Sequence, residues 1–334
     1  MPIIDSDYQA PRWAKGSHLQ TILAAKLCPR PKVDYRRERW ETPDDDFIDV
    51  DWTHDENLDP TTPIVVHFHG LEGCSKAHYA VALMNEVVSR CWRGCIPHFR
   101  GCSEEMNRQK CSYHAGKTDE VLWILEKIKE RFPMAPIYAV GISFGGNLLA
   151  LFLGQQGEKA KKLITAAASL GAPLDLLSCA SYLSKGFNKV YSLFFLWTMI
   201  PKALAKLRQH PELKAFINSK LIRRCRSLYD FDSLFTAPLH GFRNVLEYSE
   251  KTSAKALLKN IQVPLLLLNA KNDSFFPAPA LPTLKDVSDY VWLEQPEQGG
   301  HVGFPTGRFP GRIDYMPKRV MNFFDNLEQY QLTK

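Results

Sequence analysis

The chain carries a serine between two glycines: residues 141–145 have the sequence Gly-Ile-Ser-Phe-Gly. This G-x-S-x-G pattern is typical of a sharp turn from a strand into a helix that exposes the serine oxygen, and small flanking residues relieve the crowding of that turn. A strand-like apolar segment precedes Ser143 and a helix-like segment follows it, as the turn requires. The pattern predicts Ser143 as a nucleophile; the simpler alternative is a glycine-rich turn that happens to contain a serine.

A serine hydroxyl becomes a strong nucleophile only when a base takes its proton. The chain order that accompanies this turn is serine, acid, histidine, and three histidines follow Ser143, namely His210, His240 and His301. His301 lies in a Gly-Gly-His-Val-Gly segment directly after the last predicted strand, where glycines let the loop bring an imidazole over the sheet edge. The other two lie in a helical segment. We therefore expect His301 to be the base, the alternative being a surface-loop histidine.

An acid must orient the imidazole and stabilise its charged form. Asp273 comes directly after an apolar strand-like run and lies between the nucleophile and the base in the chain. Aspartate is also a common turn former, but this position favours Asp273 as the acid. The main rival is Asp175, which follows the strand after the serine turn. Weaker candidates are Asp286, Asp289 and Glu294.

An oxyanion needs preorganised donors, which are commonly two backbone N–H groups. One is expected from Phe144, the residue after the nucleophile, and the other from Leu71, in the loop after an early strand. Gly70 would let that loop approach the substrate closely, so it is also a candidate pocket residue. We expect His69 to hold the loop by hydrogen bonds and Arg100 to pin neighbouring loops rather than to contact substrate.

Short β-branched apolar runs alternate with helix-like segments along most of the chain. Such runs are typical of strands buried on both faces of a parallel sheet, and the alternation predicts an α/β fold with a mostly parallel central sheet flanked by helices. Predicted strands lie at 63–69, 93–99, 137–141, 163–170, 264–270 and 291–294, and predicted helices at about 77–90, 117–131, 147–155 and 313–327. The candidate residues follow the strands' carboxyl ends, where open α/β sheets bind ligands.

Residues 172–251 interrupt this alternation with helical, aromatic-rich sequence. We interpret them as a cap over the sheet edge, inserted into a core formed by 1–171 and 252–334. The run at 190–200 is apolar almost all round. It is either a helix buried against the core, or a wall for an acyl chain or a lid that touches membranes. On the second reading Phe194 and Trp197 are candidate pocket residues.

Composition narrows the classes of partner and compartment. The net charge of +6 comes from 42 basic and 36 acidic residues without a dominant basic tract, which argues against a nucleic-acid protein. The N-terminus lacks a signal-peptide pattern, and the longest apolar run, 191–201, is too short to span a bilayer. Eight cysteines form no CxxC pair, so we expect reduced thiols, no zinc and a cytoplasmic protein.

Taken together, the motifs resemble those of YheT-like α/β-hydrolases, which are relatives of the ABHD-type esterases and lipases. The resemblance covers nearly the whole chain. It rests on the segments 16–21, 67–73, 98–103, 107–108, 113–116, 141–147, 272–273 and 299–304, and in the cap on Asp232, 241–242 and 247–248. A tyrosine often found next in the family is replaced by Ser249, a departure in the cap that leaves the triad unaffected.

The resemblance implies a triad of Ser143, Asp273 and His301, the same three residues that the pattern indicates. It also implies hydrolysis of carboxylic esters with medium or long acyl chains, without cofactor or metal. A serine at the turn argues against chemistry that uses a carboxylate nucleophile. Three alternatives stay open: acyl transfer to an alcohol by the same acyl-enzyme, peptide hydrolysis, and a non-catalytic binding protein that keeps the fold. The sequence does not determine the oligomeric state.

Overall fold

The structure, a computed structural model, describes residues 3–53 and 58–330. The outermost residues of the expected core, 1–2 and 331–334, lie outside the described residues. So does the start of the N-terminal stretch that lacks a signal-peptide pattern.

Within the described residues, nine strands form one sheet. With the strands numbered in chain order, their spatial order is β1-β9-β8-β7-β6-β4-β5-β3-β2. All neighbouring pairs are parallel except β2 with β3 and β3 with β5, which are antiparallel. The strands are β1 (Ile3–Ile4), β2 (Tyr35–Glu41), β3 (Phe47–Thr53), β4 (Ile64–Phe68), β5 (Arg93–Pro97), β6 (Ile137–Ile142), β7 (Ala166–Leu170), β8 (Leu265–Leu268) and β9 (Val291–Glu294). The prediction of a mostly parallel sheet is confirmed.

Helices cover both faces of the sheet and fill the segment between β7 and β8. Those of the sheet layers are α1 (Ser17–Lys26), α2 (His78–Ser89), α3 (Thr118–Arg131), α4 (Phe144–Gln156), α11 (Tyr315–Asp325) and α12 (Leu327–Tyr330). Those between β7 and β8 are α5 (Leu176–Leu183), α6 (Lys189–Gln209), α7 (Ser219–Ile222), α8 (Leu228–Phe231), α9 (Ala237–Leu239) and α10 (Val245–Thr252), with a π-helical turn at Asp232–Thr236.

Side chains of the central strands alternate between two apolar cores, one on each face of the sheet. In β4, Ile64, Val66 and Phe68 pack into the core that α3 and α4 cover, whereas Val65 packs into the core under α2 and α11. Successive side chains of a strand point to opposite faces, so burial on both faces requires a continuous apolar run. This explains why the central strands could be predicted, while β1, β2, β3 and α1 were not.

The segment between β7 and β8 packs as helices around a core of its own, and polar contacts join it to the sheet layers. The fully buried Lys206 ammonium of α6 donates to the Asn107 backbone and side-chain oxygens at 3.0 and 2.8 Å and to the Gln109 carbonyl at 2.6 Å. Lys202 pairs with Glu72 at 2.8 Å. The helical character agrees with the expected cap, although the boundaries 172 and 251 stay an interpretation.

Helix α6 is longer than the apolar run that suggested it. The stretch Gly186–Gln209 has 24 residues and contains an 18-residue segment with a mean hydropathy of 1.2, so within the described residues it is the one helix with the length and composition to cross a membrane. The expectation that no apolar segment here is long enough therefore needs correction. Its buried side chains, among them Leu196 and Leu204, pack into the cap core, as in a helix of a folded domain.

Candidate active site

Ser143 lies at a sharp turn between β6 and α4. Its backbone has φ +54° and ψ −118°, a strained combination for a residue with a side chain. The glycines on either side make the turn feasible. A Cβ on Gly145 would lie 2.2 Å from the Phe68 carbonyl oxygen, and one on Gly141 would lie 2.4 Å from the Gly145 carbonyl oxygen. The G-x-S-x-G pattern is thus a steric requirement of this turn.

A hydrogen-bonded relay joins the three predicted residues. Ser143 Oγ and His301 Nε2 are 2.9 Å apart, and His301 Nδ1 lies 2.9 Å from Asp273 Oδ2. The carboxylate accepts the Nδ1 proton, which leaves Nε2 free to accept the serine proton. The Phe275 N–H donates to Asp273 Oδ1 over 2.7 Å, and the Phe275 ring stacks on the imidazole with 3.6 Å between centroids.

Burial determines the electrostatics of the acid. Asp273 is almost fully buried, and its carboxylate accepts hydrogen bonds from His301 Nδ1 and from the Phe275 N–H. Burial raises the pKa of the Asp273 carboxyl, and the neighbouring His301 counteracts part of that rise. A carboxylate in such a site stabilises an imidazolium that forms beside it, because few waters screen the pair.

Two residues of α1 hold the loop that carries His301. The His301 N–H donates to Thr21 Oγ1 over 2.8 Å, and the Gly299 N–H donates to Gln20 Oε1 over 2.9 Å. Gln20 is fully buried, and its amide oxygen also accepts from Asn272 Nδ2. Neither the role of Thr21 nor that of Gln20 in holding this loop was predicted from the sequence, although both residues lie in the segment 16–21 that supports the family resemblance.

The two predicted oxyanion donors belong to segments next to the nucleophile. Phe144 is the first residue of α4, so its N–H has no acceptor within the helix. Leu71 follows Gly70, where a Cβ would lie only 3.4 Å from Ser143 Cβ. The backbone of this loop therefore passes beside the nucleophile, and the Leu71 N–H stays the predicted second donor.

Polar contacts fix that loop from behind. His69 Nε2 accepts from the Phe99 N–H over 3.1 Å, so its Nδ1 carries the proton that it donates to the Gly70 carbonyl over 2.8 Å. The Gly70 N–H donates to Tyr79 Oη over 3.0 Å. The imidazole of His69 is fully buried, and burial lowers its pKa well below the usual value. His69 thus acts as a neutral structural group, as expected.

Comparison with known proteins identifies the family. The model of the α/β-hydrolase fold matches residues 63–307, which is more than half of the chain.

The chain belongs to the α/β-hydrolase family.

Individual relatives agree with this assignment. Over 296 residues the hydrolase is 36% identical to "Putative esterase YheT" of Escherichia coli, covering 89% of this chain and 86% of that protein. It is 29% identical to "Phospholipase ABHD3" of Bos taurus, covering 96% and 79%. The Pyrococcus furiosus esterase Pf2001 superposes with a TM-score of 0.54 at 14% identity, over 90% of this chain and 98% of that one. The last likeness shows the fold alone, whereas the first two also confirm the resemblance to YheT-like and ABHD3-related hydrolases.

Two cavities of the hydrolase meet at Ser143. The outer cavity, about 440 Å³, is lined by Ser143 and His301, by Gly70 and by aromatic residues of α6, with Lys26 and Arg30 at its edge. The inner cavity, about 90 Å³, extends from Ser143 beneath the cap. Its lining is mostly apolar and includes Leu176, Cys179, Leu183, Phe195, Met199, Leu228 and Asp232.

Of the three predicted pocket residues, two line a cavity at Ser143 and one does not. Gly70 and Phe194 both line the outer cavity. Trp197 is 82% exposed and lines neither of the two cavities, so its prediction as a pocket residue needs correction. Phe194 is itself 60% exposed, and Trp197, three residues further along the same side of α6, projects into solvent beyond the residues that line the outer cavity.

Three of the four rival acids have other partners, and the fourth, Asp289, is exposed. Asp175 caps α5 by accepting from the Ser178 N–H over 3.1 Å. Glu294 pairs with Arg319 at 2.6 Å. Asp286 accepts from the Thr283 backbone and side chain at the start of a short 3₁₀ turn. Asp273 is the candidate acid that the structure brings to His301.

One cluster in the described part of the chain has metal-ligand spacing, formed by Asp44, Asp46 and Cys111. The Arg100 guanidinium already donates to both carboxylates, at 2.7 and 2.9 Å, and to Glu120 at 2.6 Å. The Arg100 guanidinium therefore supplies the positive charge of this cluster. Arg100 joins neighbouring loops, as predicted from the sequence.

Proposed function

We propose that the protein hydrolyses carboxylic esters through an acyl-enzyme on Ser143. The observation that carries this proposal is the continuous relay from Ser143 Oγ through His301 to Asp273, with 2.9 Å at each step. A serine aligned in this way has a base within reach of its proton and an acid that orients the base. The relatives named as an esterase and a phospholipase support the choice of an ester as substrate.

The proposed reaction has two steps. His301 takes the proton of Ser143 as its oxygen attacks the ester carbonyl, and the N–H groups of Phe144 and Leu71 stabilise the oxyanion. His301 then protonates the leaving alcohol, and the acyl group stays on the serine. Water enters, loses a proton to His301 and releases the acid by the same path.

The cavities favour an apolar acyl group. The inner cavity presents mainly leucine, phenylalanine and methionine side chains, and the outer cavity is lined by aromatic and aliphatic groups beside Ser143. Burying an acyl chain there releases water from both surfaces, at roughly 0.8 kcal/mol for each buried CH₂. We propose lipid-like esters with medium or long acyl chains as the substrate class.

The proposal is tested by fluorophosphonate labelling and a series of p-nitrophenyl esters from two to sixteen carbons, on wild type and Ser143→Ala. We expect labelling to vanish and turnover to fall by about 10⁴-fold or more, because the relay loses its nucleophile. Ser233→Ala, an exposed serine of the cap, is the matched control and should behave as wild type. A folded wild type that neither labels nor turns over any ester would refute the proposal and favour a binding protein.

The same acyl-enzyme would also serve acyl transfer to an alcohol. Adding ethanol or glycerol to the ester assay separates the two reactions, because a transferase forms the new ester in preference to the free acid. We expect free acid as the main product. A new ester that dominates at millimolar alcohol would reassign the reaction while leaving the role of Ser143 unchanged.

A further inference from the structure

A row of large apolar side chains on α6 faces solvent. Phe187, just before the helix, and Val190, Phe194 and Trp197 within it are 50–82% exposed. Their spacing of three, four and three residues places them on one side of the helix. Single exposed apolar residues are ordinary, but a contiguous row of this size marks an interaction surface.

Helix α1 continues this surface, although it lies some 170 residues away in the sequence. The rings of His18 and Phe187 are 4.6 Å apart between centroids, and Lys26 Nζ lies 5.4 Å from the centroid of the Phe194 ring. Leu19 is 47% exposed and lies seven residues before Lys26, on the same side of α1. We name the exposed side chains of the two helices the interfacial face, formed by Leu19, Lys26, Phe187, Val190, Leu193, Phe194 and Trp197.

The charges around the interfacial face have one sign. Residues 8–33 and 176–211 contain no aspartate or glutamate, and each stretch contains five lysines or arginines. Of these, Lys26, Arg30, Lys185 and Lys189 are exposed, and the described part of the chain gives none of them an acidic partner. Lys202 and Lys206 are instead turned inward to Glu72 and Asn107.

We propose that the interfacial face docks on an anionic lipid bilayer. Aromatic and aliphatic side chains that insert at the headgroup boundary, surrounded by lysines and arginines, are the two features that interfacial binding needs. Each basic residue near an anionic surface contributes about 1 kcal/mol. A second copy of this chain is a poorer occupant, because it would bring the same uncompensated positive charges together.

The anchoring of α6 determines how the helix would lie on a bilayer. Its opposite side packs into the cap core through Leu196, Leu204 and Leu207, and Lys206 is held by backbone carbonyls of the 107–109 loop. Crossing the membrane would expose these groups to lipid and leave a buried ammonium without partners. The helix therefore lies along the surface and inserts only its exposed side chains.

The interfacial face borders the outer cavity. Lys26, Arg30, Val190 and Phe194 line that cavity together with Ser143. A lipid that leaves the bilayer at this place would pass along apolar side chains toward the nucleophile. This delivery of substrate rests on the proposed ester hydrolysis, whereas the docking itself does not.

The test is co-sedimentation of the full chain with vesicles of phosphatidylcholine alone or with about one third phosphatidylglycerol. We expect wild type to sediment with the anionic vesicles and to be released by 0.5 M salt in large part, because salt screens the basic residues. Trp197→Ser with Leu193→Ser, and separately Lys185→Glu with Lys189→Glu, should each weaken binding at least tenfold. Turnover of a soluble short-chain ester should stay unchanged, because none of these four residues lines the cavities at Ser143.

Met134→Ser is the matched control, since this side chain is 70% exposed between α3 and β6. It should bind vesicles as wild type does. Equal binding to both vesicle types, or binding that neither double variant weakens, would overturn the proposal. So would a dimer that Trp197→Ser dissociates in a protein that ignores vesicles. Ser143→Ala should still bind vesicles, so loss of ester turnover and loss of docking are read separately.

Discussion

His301 is held by groups from three separate parts of the chain. Ser143 and Asp273 bond its two ring nitrogens, Thr21 accepts from its backbone N–H, and the Phe275 ring lies against its face. The ring is therefore restrained in tautomer, tilt and height above the sheet edge. Restraint of this kind matters because a misplacement of about 1 Å in a reacting group can cost about 10²-fold in rate.

At the residue scale, we predict that Thr21→Val slows turnover without weakening substrate binding. Removing the hydroxyl leaves the His301 N–H without its acceptor, so the loop loses one restraint on the base, while valine, which has nearly the same volume, keeps the shape of the outer cavity that Thr21 lines. The expected result is a fall in kcat of about 10-fold with KM unchanged, measured on a soluble ester. Thr21→Ser keeps the hydroxyl and should restore most of kcat. A rise in KM with normal kcat would show that Thr21 acts on the pocket instead.

The turn between β6 and α4 shows how an element positions a nucleophile. The strand is buried on both faces, and the helix packs back against it. A side chain at 141 would meet the backbone of the first helical turn, and one at 145 would meet the Phe68 and His69 carbonyls at the end of β4. The first-turn amides of α4 then point toward the serine. Local sequence and local packing agree here, so the turn could be predicted from a short segment.

At the element scale, Gly145→Ala should destabilise the protein by about 3 kcal/mol or more. The new Cβ would lie 2.2 Å from the Phe68 carbonyl and 2.5 Å from that of His69, and backbone atoms of a central strand have little freedom to move. The measurement is the free energy of unfolding in urea.

Gly186→Ala provides the comparison for that prediction. Gly186 has φ +51° but open space around it, so the substitution adds backbone strain of about 1 kcal/mol without a clash. If the two variants were equally stable, the steric account of the turn would be wrong.

The β2–β3 hairpin illustrates an element that pattern alone does not reveal. In β2 the apolar alternation is masked by arginines, two of which reach across to buried aspartates of β3, Arg37 to Asp51 and Arg39 to Asp49, at 2.7 and 2.8 Å. A charged residue in a sequence normally indicates an exposed position. Only the pairing of the two strands makes these charges part of a sheet.

At the scale of the whole molecule, cap and core surround a carboxyl that has no cationic partner among the described residues. Asp232, in the π-helical turn of the cap, lines the inner cavity and the neighbouring cavity that contains His114 and His240. Burial raises the pKa of Asp232 to about 7, and burial also lowers the pKa values of His114 and His240 to about 3 and about 4. Near neutral pH these histidines are uncharged, and Lys202, which lines the neighbouring cavity, pairs with Glu72.

This arrangement predicts a pH dependence of stability that Asp232→Asn removes. Because the folded pKa of Asp232 lies above the unfolded value of about 4, the folded state binds the proton more tightly. The stabilisation that the bound proton gives the folded state is complete below pH 4 and is lost as the pH rises through 7. The unfolding free energy of wild type relative to the variant should fall by on the order of 2 kcal/mol across that window.

The measurement is urea unfolding of both proteins at pH 4 to 9. The difference between their free energies should become constant above about pH 8, where the carboxylate is ionised in both states. Parallel profiles across the whole range would show that Asp232 titrates normally in the folded protein. Ser233→Asn, at the exposed neighbouring position, controls for the effect of substituting this turn.

The sequence by itself determined the features that depend on neighbouring residues. The serine turn requires small residues at fixed offsets, and central strands require continuous apolar runs, so both could be predicted from short segments. The chain order of serine, acid and histidine then reduced the candidate bases to three. The family, confirmed by its relatives, was also accessible from motifs spread along the chain.

Tertiary structure decided what depends on segments that are distant in the chain. It brought Asp273 rather than Asp175 to His301, set Gln20 and Thr21 behind the histidine loop, and placed Phe194 but not Trp197 at the outer cavity. It also joined two acid-free segments into one interfacial face. Each of these outcomes depends on the rotation of a helix or the closure of a long loop, and those are set by the packing of the whole chain rather than by local preference.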